Sequence, residues 1–199
     1  MTADRETLDV YGRMAGDYAA MVHRERNDRH LDAFIKSLPA RARVLDLGCG
    51  PGRAAARMAE AGLQVDAWDA SPEMAALARE RFGLEVRVAA FDALDAEAVY
   101  DGIYANFSLL HARRSKMPQH LDRIAKALTA HGLLHIGLKT GVGERRDSLG
   151  RFYAYYQESE LAGLIETARF EILSRATGSE AGLDGVEAPW IVMKARKVD

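Results

Sequence analysis

One acidic residue and then three glycines occupy every second position of a short segment, Asp46-Leu47-Gly48-Cys49-Gly50-Pro51-Gly52, which follows an apolar run. Glycine at every second position lets a ligand approach the backbone, and a helix that starts after such a loop offers its first N–H groups to that ligand. A dinucleotide-binding loop has a small residue three positions after its second glycine, whereas Arg53 stands there in this chain. The segment therefore predicts a ligand-binding turn and argues against the common nicotinamide fingerprint.

Two further side chains are candidates for chemistry at the same site. Asp69 lies about 20 residues beyond the glycine loop, where an acid can accept hydrogen bonds from both hydroxyls of a ribose. His111 follows another predicted strand, and the ordinary pKa of histidine suits removal of a proton near neutral pH. A histidine that starts a helix and makes a structural hydrogen bond explains His111 equally well, so both roles stay open for it.

The elements that must hold these residues alternate between strands and helices. Short apolar runs bounded by Gly or Asp predict five strands, at 43–47, 64–68, 85–90, 101–105 and 132–138. Amphipathic stretches predict three helices between them, at 53–61, 72–82 and 118–129. Ser71 is a good helix cap, and left-handed helix ends are expected at Gly62, Gly83 and Gly132. This alternation predicts an α/β fold with a mostly parallel sheet.

The two ends of the chain depart from that alternation. Residues 1–40 show helical apolar spacing, with Asn27 or Asp28 as a cap. Residues 158–168 predict a helix, followed by strands at 170–177 and 190–196. Their connection is too short for a crossover helix, so the two strands are expected to form an antiparallel hairpin.

Residues 140–157 are rich in Gly, Arg and Tyr and show no sustained period of helix or strand, so we expect an ordered surface loop. Such a loop could close over a substrate, and its arginines could bind a carboxylate or phosphate. The candidate substrate residues in it are Arg145, Arg146, Arg151 and Tyr155. A solvated charged surface is the alternative interpretation.

Composition limits the partners and the compartment. Lys and Arg number 27 against 29 Asp and Glu, and the net charge of −2 argues against a nucleic-acid partner. The one cysteine, Cys49, cannot form an intrachain disulfide, the first residues lack a signal-peptide pattern, and no run approaches about 18 apolar residues. We therefore expect a cytoplasmic chain without a membrane segment. His131 and His135 are roughly 13 Å apart if they lie on one strand, so no metal site is expected.

The acid-led glycine loop resembles the first motif of the class I S-adenosylmethionine-dependent methyltransferases, and the resemblance continues in order and spacing over residues 43–139. It implies S-adenosyl-L-methionine as the cofactor and in-line transfer of a methyl group to a small-molecule acceptor. It also implies a Rossmann-like three-layer sandwich with a mostly parallel seven-stranded sheet and a C-terminal antiparallel hairpin. The whole chain, 1–199, is then one domain, with a helical cap (1–40), a cofactor-binding core (43–139), a substrate-side loop (140–157) and a final helix and hairpin (158–199).

The resemblance further implies which residues contact the cofactor. It assigns the apolar side chain of Phe91 to the adenine ring and the carboxylate of Asp92 to the exocyclic amine of adenine. It places the main chain near Asn106 beside the methionine moiety and His111 near the methyl group. The implied cofactor residues are Tyr11, Asp46, Gly48, Cys49, Gly50, Gly52, Asp69, Ala70, Met74, Phe91, Asp92, Ala93 and Asn106, with Tyr18 as a candidate on the substrate side.

Two other functions remain alternatives at this stage. A Rossmann-type oxidoreductase would bind NAD at the same loop, and a methyltransferase-like module would bind S-adenosylmethionine without catalysis. A monomer or a homodimer is compatible with the sequence.

Overall fold

The computed structural model describes residues 4–24 and 28–198. The strands are β1 (Arg43–Leu47), β2 (Gln64–Asp69), β3 (Val86–Val88), β4 (Tyr100–Asn106), β5 (Leu128–Lys139), β6 (Glu144–Arg146), β7 (Phe152–Ala154), β8 (Phe170–Ala181) and β9 (Glu187–Lys197). The helices are α1 (Arg5–Arg13), α2 (Ala15–Arg24), α3 (Arg29–Lys36), α4 (Arg53–Glu60), α5 (Pro72–Phe82), α6 (Met117–Ala127) and α7 (Glu158–Thr167).

Seven of the strands form one sheet in the order β3-β2-β1-β4-β5-β9-β8. The first five pair in parallel, and β9 pairs antiparallel with both β5 and β8. The α/β fold with a mostly parallel seven-stranded sheet and a C-terminal antiparallel hairpin is therefore confirmed. The strand order reverses between β1 and β4: the chain runs from β1 through β2 to β3 on one side and then returns to β4 on the other side of β1. Ligands of open α/β sheets bind at such a point.

Several helices begin or end at the capping residues that the sequence predicts. The Ser71 hydroxyl caps α5 by accepting from the Met74 N–H, and Gly83 ends that helix with φ of 66°. Asp28 caps α3 with its carboxylate, while Asn27 lies outside the described residues. The expectation for Gly132 is wrong, because this glycine lies inside β5 and His131 takes the left-handed conformation, with φ of 62°.

The segment 140–157 is not an irregular surface loop. It contains a two-stranded antiparallel ribbon, β6 and β7, in which Arg145 pairs with Tyr153. Residues 151–156 are buried, and the rings of Phe152, Tyr153, Tyr155 and Tyr156 belong to the main hydrophobic core. In the sequence, glycine and arginine interrupt the apolar pattern of this segment. Its aromatic side chains nevertheless bury enough apolar surface to pack the ribbon against the core.

The N-terminal helices cover the end of the sheet that carries the glycine loop. Helix α1 contacts α5 and α2, and the Phe152 N–H donates to the Thr7 hydroxyl at 2.8 Å, which ties α1 to the ribbon. Helix α3 packs against β4. A Cβ added at Gly102 of β4 would lie 2.8 Å from the ring of Phe34 in α3. No helix within the described ranges is long and apolar enough to cross a bilayer.

Candidate functional site

Two adjoining cavities lie at the carboxyl ends of the parallel strands. The larger has a volume of about 390 Å³ and the smaller about 90 Å³. Five residues line both cavities and so form the neck between them: Tyr11, Tyr18, Gly48, Gly50 and Phe107. The glycine loop and the N-terminal helices therefore meet at one divided site.

The glycine loop is held by the next strand. The N–H groups of Gly48 and Cys49 both donate to the Trp68 carbonyl, at 2.8 and 2.9 Å, and the Gly50 N–H donates to Asp69. These three amides are therefore used within the protein. The loop therefore presents to a ligand a backbone that carries no side chains at its glycines.

Gly48 is required by close packing at the neck. Its φ is +83°, and an added Cβ would lie 2.3 Å from the Ser108 Cβ. The Ser108 hydroxyl donates to the Leu47 carbonyl at 2.6 Å, which holds the end of β4 against the loop. A side chain at position 48 would therefore displace this contact.

The carboxylate of Asp69 braces the site from the end of β2. One oxygen accepts from the Gly50 N–H and the other from the Ser71 N–H, both at 2.8 Å. Burial raises the pKa of Asp69, while these backbone hydrogen bonds lower it. Each carboxylate oxygen can accept a further hydrogen bond, and Asp69 lines the smaller cavity.

Asp46 lines the larger cavity, and one of its carboxylate oxygens is buried and unsatisfied. It is buried, and its Oδ2 has no hydrogen-bond partner among the described residues. Burial and the nearby charge of Asp69 raise the pKa of Asp46 to about 7. A cationic ligand group would satisfy this oxygen and favour its ionised form. Burial also raises the pKa of the Cys49 thiol, so Cys49 is not a reactive thiolate.

The other predicted cofactor residues divide into two groups. Ala70, Met74 and Phe91 line the smaller cavity together with Asp69. Gly52, Asp92 and Ala93 line neither cavity. Gly52 instead caps α4 with φ of 85°, and an added Cβ would lie 2.8 Å from Ala78. Asp92 and Ala93 follow Phe91 in a single 3-10 turn.

The end of β4 contributes Asn106 and Phe107 to the larger cavity. The His135 Nε2–H donates to the Asn106 side-chain oxygen at 3.0 Å, and burial lowers the pKa of His135 to about 3, so this imidazole is neutral. Phe107 has φ of 52°, in the left-handed region that bulky residues avoid. Such strain costs about 1–3 kcal/mol and is typical of functional sites.

His111 is fixed on both ring nitrogens. Its Nδ1–H donates to the Phe152 carbonyl at 2.6 Å, because a carbonyl oxygen only accepts, and its Nε2 therefore accepts from the Tyr11 hydroxyl at 2.9 Å. Burial lowers the pKa of His111 to about 4. The imidazole is thus a neutral connector between α1 and the ribbon, with its one acceptor nitrogen occupied.

Of the predicted substrate residues, Tyr18 and Arg151 line the larger cavity. The Arg151 guanidinium is buried and paired with Asp147 at 2.6 Å, and its Nη1 donates to the Tyr11 hydroxyl at 3.3 Å. Its charge is therefore already compensated within the protein.

Arg145, Arg146 and Tyr155 line neither cavity, so the structure does not bring them to the site. Arg146 instead pairs with Asp4 and Glu6 on the surface, at 2.9 and 3.2 Å. The Arg145 guanidinium lies 3.9 Å from the centre of the Tyr155 ring, which is buried in the core. We leave these three residues out of the site.

Several residues that line the larger cavity are not among those predicted from the sequence. Lys139 ends β5, Tyr153 lies in β7, Trp190 lies in β9, and residues 180–183 lead from the end of β8 into the hairpin tip. Tyr153 lies in the Gly-, Arg- and Tyr-rich segment 140–157, and Lys139 directly precedes that segment. Trp190 and the tip reach the cavity only through the pairing register of the hairpin, which gives no local signal.

The described residues fit S-adenosylmethionine. The unpartnered Asp46 oxygen suits the ammonium of its methionine part, Asp69 has capacity for ribose hydroxyls, and Phe91 offers an apolar face in the same small cavity. Gly48 and Gly50 line both cavities, so the glycine loop borders the space that a bound cofactor would occupy.

Comparisons with known proteins agree with this fit. Residues 44–132 match the family model of a methyltransferase domain. An uncharacterised methyltransferase of Staphylococcus carnosus is 27% identical over 83% of this chain and 83% of its own length. A malonyl-[acyl-carrier protein] O-methyltransferase of Enterobacter lignolyticus is 38% identical over 50% of this chain, which covers only 41% of that protein.

A solved structure extends the similarity over the whole chain. The 1,6-didemethyltoxoflavin-N1-methyltransferase of Burkholderia thailandensis, with bound 1,6-didemethyltoxoflavin and S-adenosylhomocysteine, has a TM-score of 0.69 and 29% identity, covering 100% of this chain and 92% of that one. The family model over residues 44–132, the relatives and the solved structure all support a class I S-adenosylmethionine-dependent methyltransferase.

Proposed function

We propose that this chain transfers a methyl group from S-adenosylmethionine to a small-molecule acceptor by in-line displacement. The observation that carries the proposal is the pair of cavities that meet at Gly48 and Gly50. The smaller cavity contains Asp69 and Phe91, which suit an adenosine, and the larger one contains Asp46, which suits a methionine ammonium. The rest of the larger cavity then has room for the acceptor beside the neck.

In this proposal the protein supplies position rather than reactive groups. S-adenosylmethionine supplies an activated methyl group on its sulfonium. Asp69 accepts hydrogen bonds from the ribose, and Asp46 holds the ammonium through its otherwise unpartnered oxygen. Alignment of two bound reactants can lower a barrier by several kcal/mol, and the neck residues provide that alignment.

We assign His111 a positioning role. Its acceptor nitrogen is occupied by the Tyr11 hydroxyl, and its Nδ1–H is bound to the Phe152 carbonyl. Both contacts join elements that wall the cavities. The low pKa of His111 makes it a weak base, which supports the same assignment.

A small acceptor is supported by the limited space. The larger cavity is walled by α2, the ribbon and the hairpin tip, and it must hold part of the cofactor as well as the acceptor. The Burkholderia relative is named for a small acceptor, 1,6-didemethyltoxoflavin. A cytoplasmic location and independence from nucleic acid remain predictions from the sequence.

The test is a turnover screen with the purified chain. Classes of small acceptors are incubated with S-adenosylmethionine, and S-adenosylhomocysteine is measured. We expect acceptor-dependent formation of S-adenosylhomocysteine that Asp69→Asn lowers and that Asp66→Asn, an exposed change on the same strand, leaves unchanged. Binding of S-adenosylmethionine without turnover on any acceptor class would instead support a non-catalytic module.

A further inference from the structure

Aromatic rings form one wall of the larger cavity, from Phe107 at the neck to Trp190 in β9. Phe107, Tyr153 and Trp190 line this part, and the rings of Phe107 and Trp190 are 6.4 Å apart at an angle of 80°. Aromatic side chains bind other rings through edge-to-face and offset contacts. A cavity with such walls favours a flat ring over a flexible aliphatic chain.

The Trp190 ring is held in place by its own strand pair. Gly178 lies opposite Trp190 between β8 and β9, and an added Cβ there would lie 2.3 Å from the indole ring. The ring therefore packs directly on the glycine backbone. Its Nε1 is buried and has no hydrogen-bond partner among the described residues.

A lysine lies beside this aromatic wall. Lys139 is directly opposite Trp190 in the pairing of β5 with β9, and directly opposed residues project from the same face of a sheet. Its Nζ is 4.5 Å from the centre of the Tyr153 ring. Lys139 lines the cavity and is half-buried, so an anion brought to it would be only weakly screened by water.

The described cations that line the larger cavity are Arg29, Arg53, Lys139 and Arg151, and Lys139 is the one placed beside both Trp190 and the Tyr153 ring. Arg151 is bound to Asp147 in a buried ion pair. Glu180 and Asp184, at the hairpin tip, act on Lys139 from the solvent side and raise its pKa, whereas burial has the larger effect and lowers it. Arg53 lies at the opposite end of the cavity, directly after the glycine loop.

We propose that the acceptor is a flat aromatic compound that binds as an anion, with its ring among Phe107, Tyr153 and Trp190 and its negative charge toward Lys139. This inference rests on the proposed function, because it identifies the acceptor class of the same site. Charge and ring are both needed: the ammonium alone would accept any carboxylate, and the rings alone would accept neutral aromatics.

An anionic acceptor also removes the need for a base at the neck. The charge of such an anion is delocalised over its flat ring system, so Lys139 can hold one part of the acceptor while an atom at the neck supplies the lone pair. That lone pair forms the new bond to the methyl carbon, the carbon–sulfur bond breaks, and its electron pair stays on sulfur. The negative acceptor and the positive sulfonium become two neutral products at these centres, so no proton leaves in this step. His111, whose acceptor nitrogen is already occupied, is then not required to take one.

The test compares four probes by calorimetric titration into the full chain saturated with S-adenosylhomocysteine: 2-naphthoate, 2-naphthamide, cyclohexanecarboxylate and trans-aconitate. We expect 2-naphthoate to bind at least about tenfold more tightly than each of the others, because the amide lacks the charge and the two aliphatic acids lack the aromatic ring; tenfold corresponds to about 1.4 kcal/mol. Equal binding of the amide, or tighter binding of either aliphatic acid, overturns the inference.

Two variants test separately how the lysine charge and the tryptophan ring contribute to binding. Lys139→Met should remove the preference for 2-naphthoate over 2-naphthamide, and Trp190→Leu should remove the preference over cyclohexanecarboxylate. Lys126→Met, an exposed lysine on α6, is the matched control and should keep both preferences. A preserved preference in Lys139→Met contradicts the inference.

The first titration also separates this inference from the proposed function. Retained binding of S-adenosylhomocysteine shows that each variant is folded with an intact cofactor site. If the wild-type chain binds no S-adenosylhomocysteine, the proposed function fails and this inference fails with it. If it binds S-adenosylhomocysteine and methylates a neutral or aliphatic acceptor in preference to aromatic anions, only this inference fails.

Discussion

Replacement of Asp69 by Asn tests the cofactor site at its most constrained side chain. The wild-type carboxylate accepts two backbone N–H groups at 2.8 Å and has further lone pairs for a ribose. Asparagine keeps one carbonyl oxygen and turns the other position into a donor, so one ribose hydroxyl loses a charged acceptor. That loss costs about 1.5–3 kcal/mol, which is roughly a 10- to 150-fold weaker affinity for S-adenosylmethionine.

The assay is calorimetric titration of wild type, Asp69→Asn and Asp66→Asn. Asp66 lies on the same strand and makes an ion pair with Arg43 at 2.9 Å, with more than a third of its side chain exposed. Its loss should change stability by about 0–1 kcal/mol and leave affinity unchanged. Thermal unfolding of each variant separates a local effect from misfolding. An affinity of folded Asp69→Asn within about twofold of wild type would refute the assignment.

Three further changes test the neck and its charges. Gly48→Ala should destabilise the fold by at least about 1–3 kcal/mol in denaturant unfolding, because its Cβ would lie 2.3 Å from the Ser108 Cβ at φ of +83°; Gly16→Ala, with nothing within 4 Å, is the control and should not destabilise it by that amount. Affinity for S-adenosylmethionine should rise as pH increases from 6 to 8, because a cation binds the ionised form of Asp46 and the pKa of Asp46 is about 7. Asp46→Asn should flatten that dependence, and a retained slope would assign it to another group. His111→Phe should weaken cofactor binding and lower thermal stability without moving the pH profile of turnover; a moved profile would make His111 a base.

The fold and the cofactor half of the site were predictable because their signals are local. Strand β1 and helix α5 have the predicted bounds, since an apolar run before glycine and a Ser-Pro start are each contained in a few residues. The acid-led glycine loop and Asp69 meet because parallel strands bring their carboxyl ends to one edge. No long-range information was needed for these features.

The acceptor half depends on contacts between distant parts of the chain. Arg146 finds its partner Asp4 across 142 positions, which removes it from the site. Trp190 meets Lys139 only because β9 pairs with β5 in one particular register. The register of a strand pair is fixed by the burial of one face of the sheet and, in the β8–β9 hairpin, also by the turn. The register of β9 could therefore not be derived from the charge and ring pattern of residues 140–157.

The central claim is that the two cavities together bind S-adenosylmethionine, and competitive calorimetry of the full chain tests it most directly. S-adenosylhomocysteine is titrated first into the free chain and then into the chain in the presence of excess NAD. We predict one binding event per chain with the same affinity in both titrations, and no heat from NAD alone. Saturable binding of NAD together with no binding of S-adenosylhomocysteine would contradict the account.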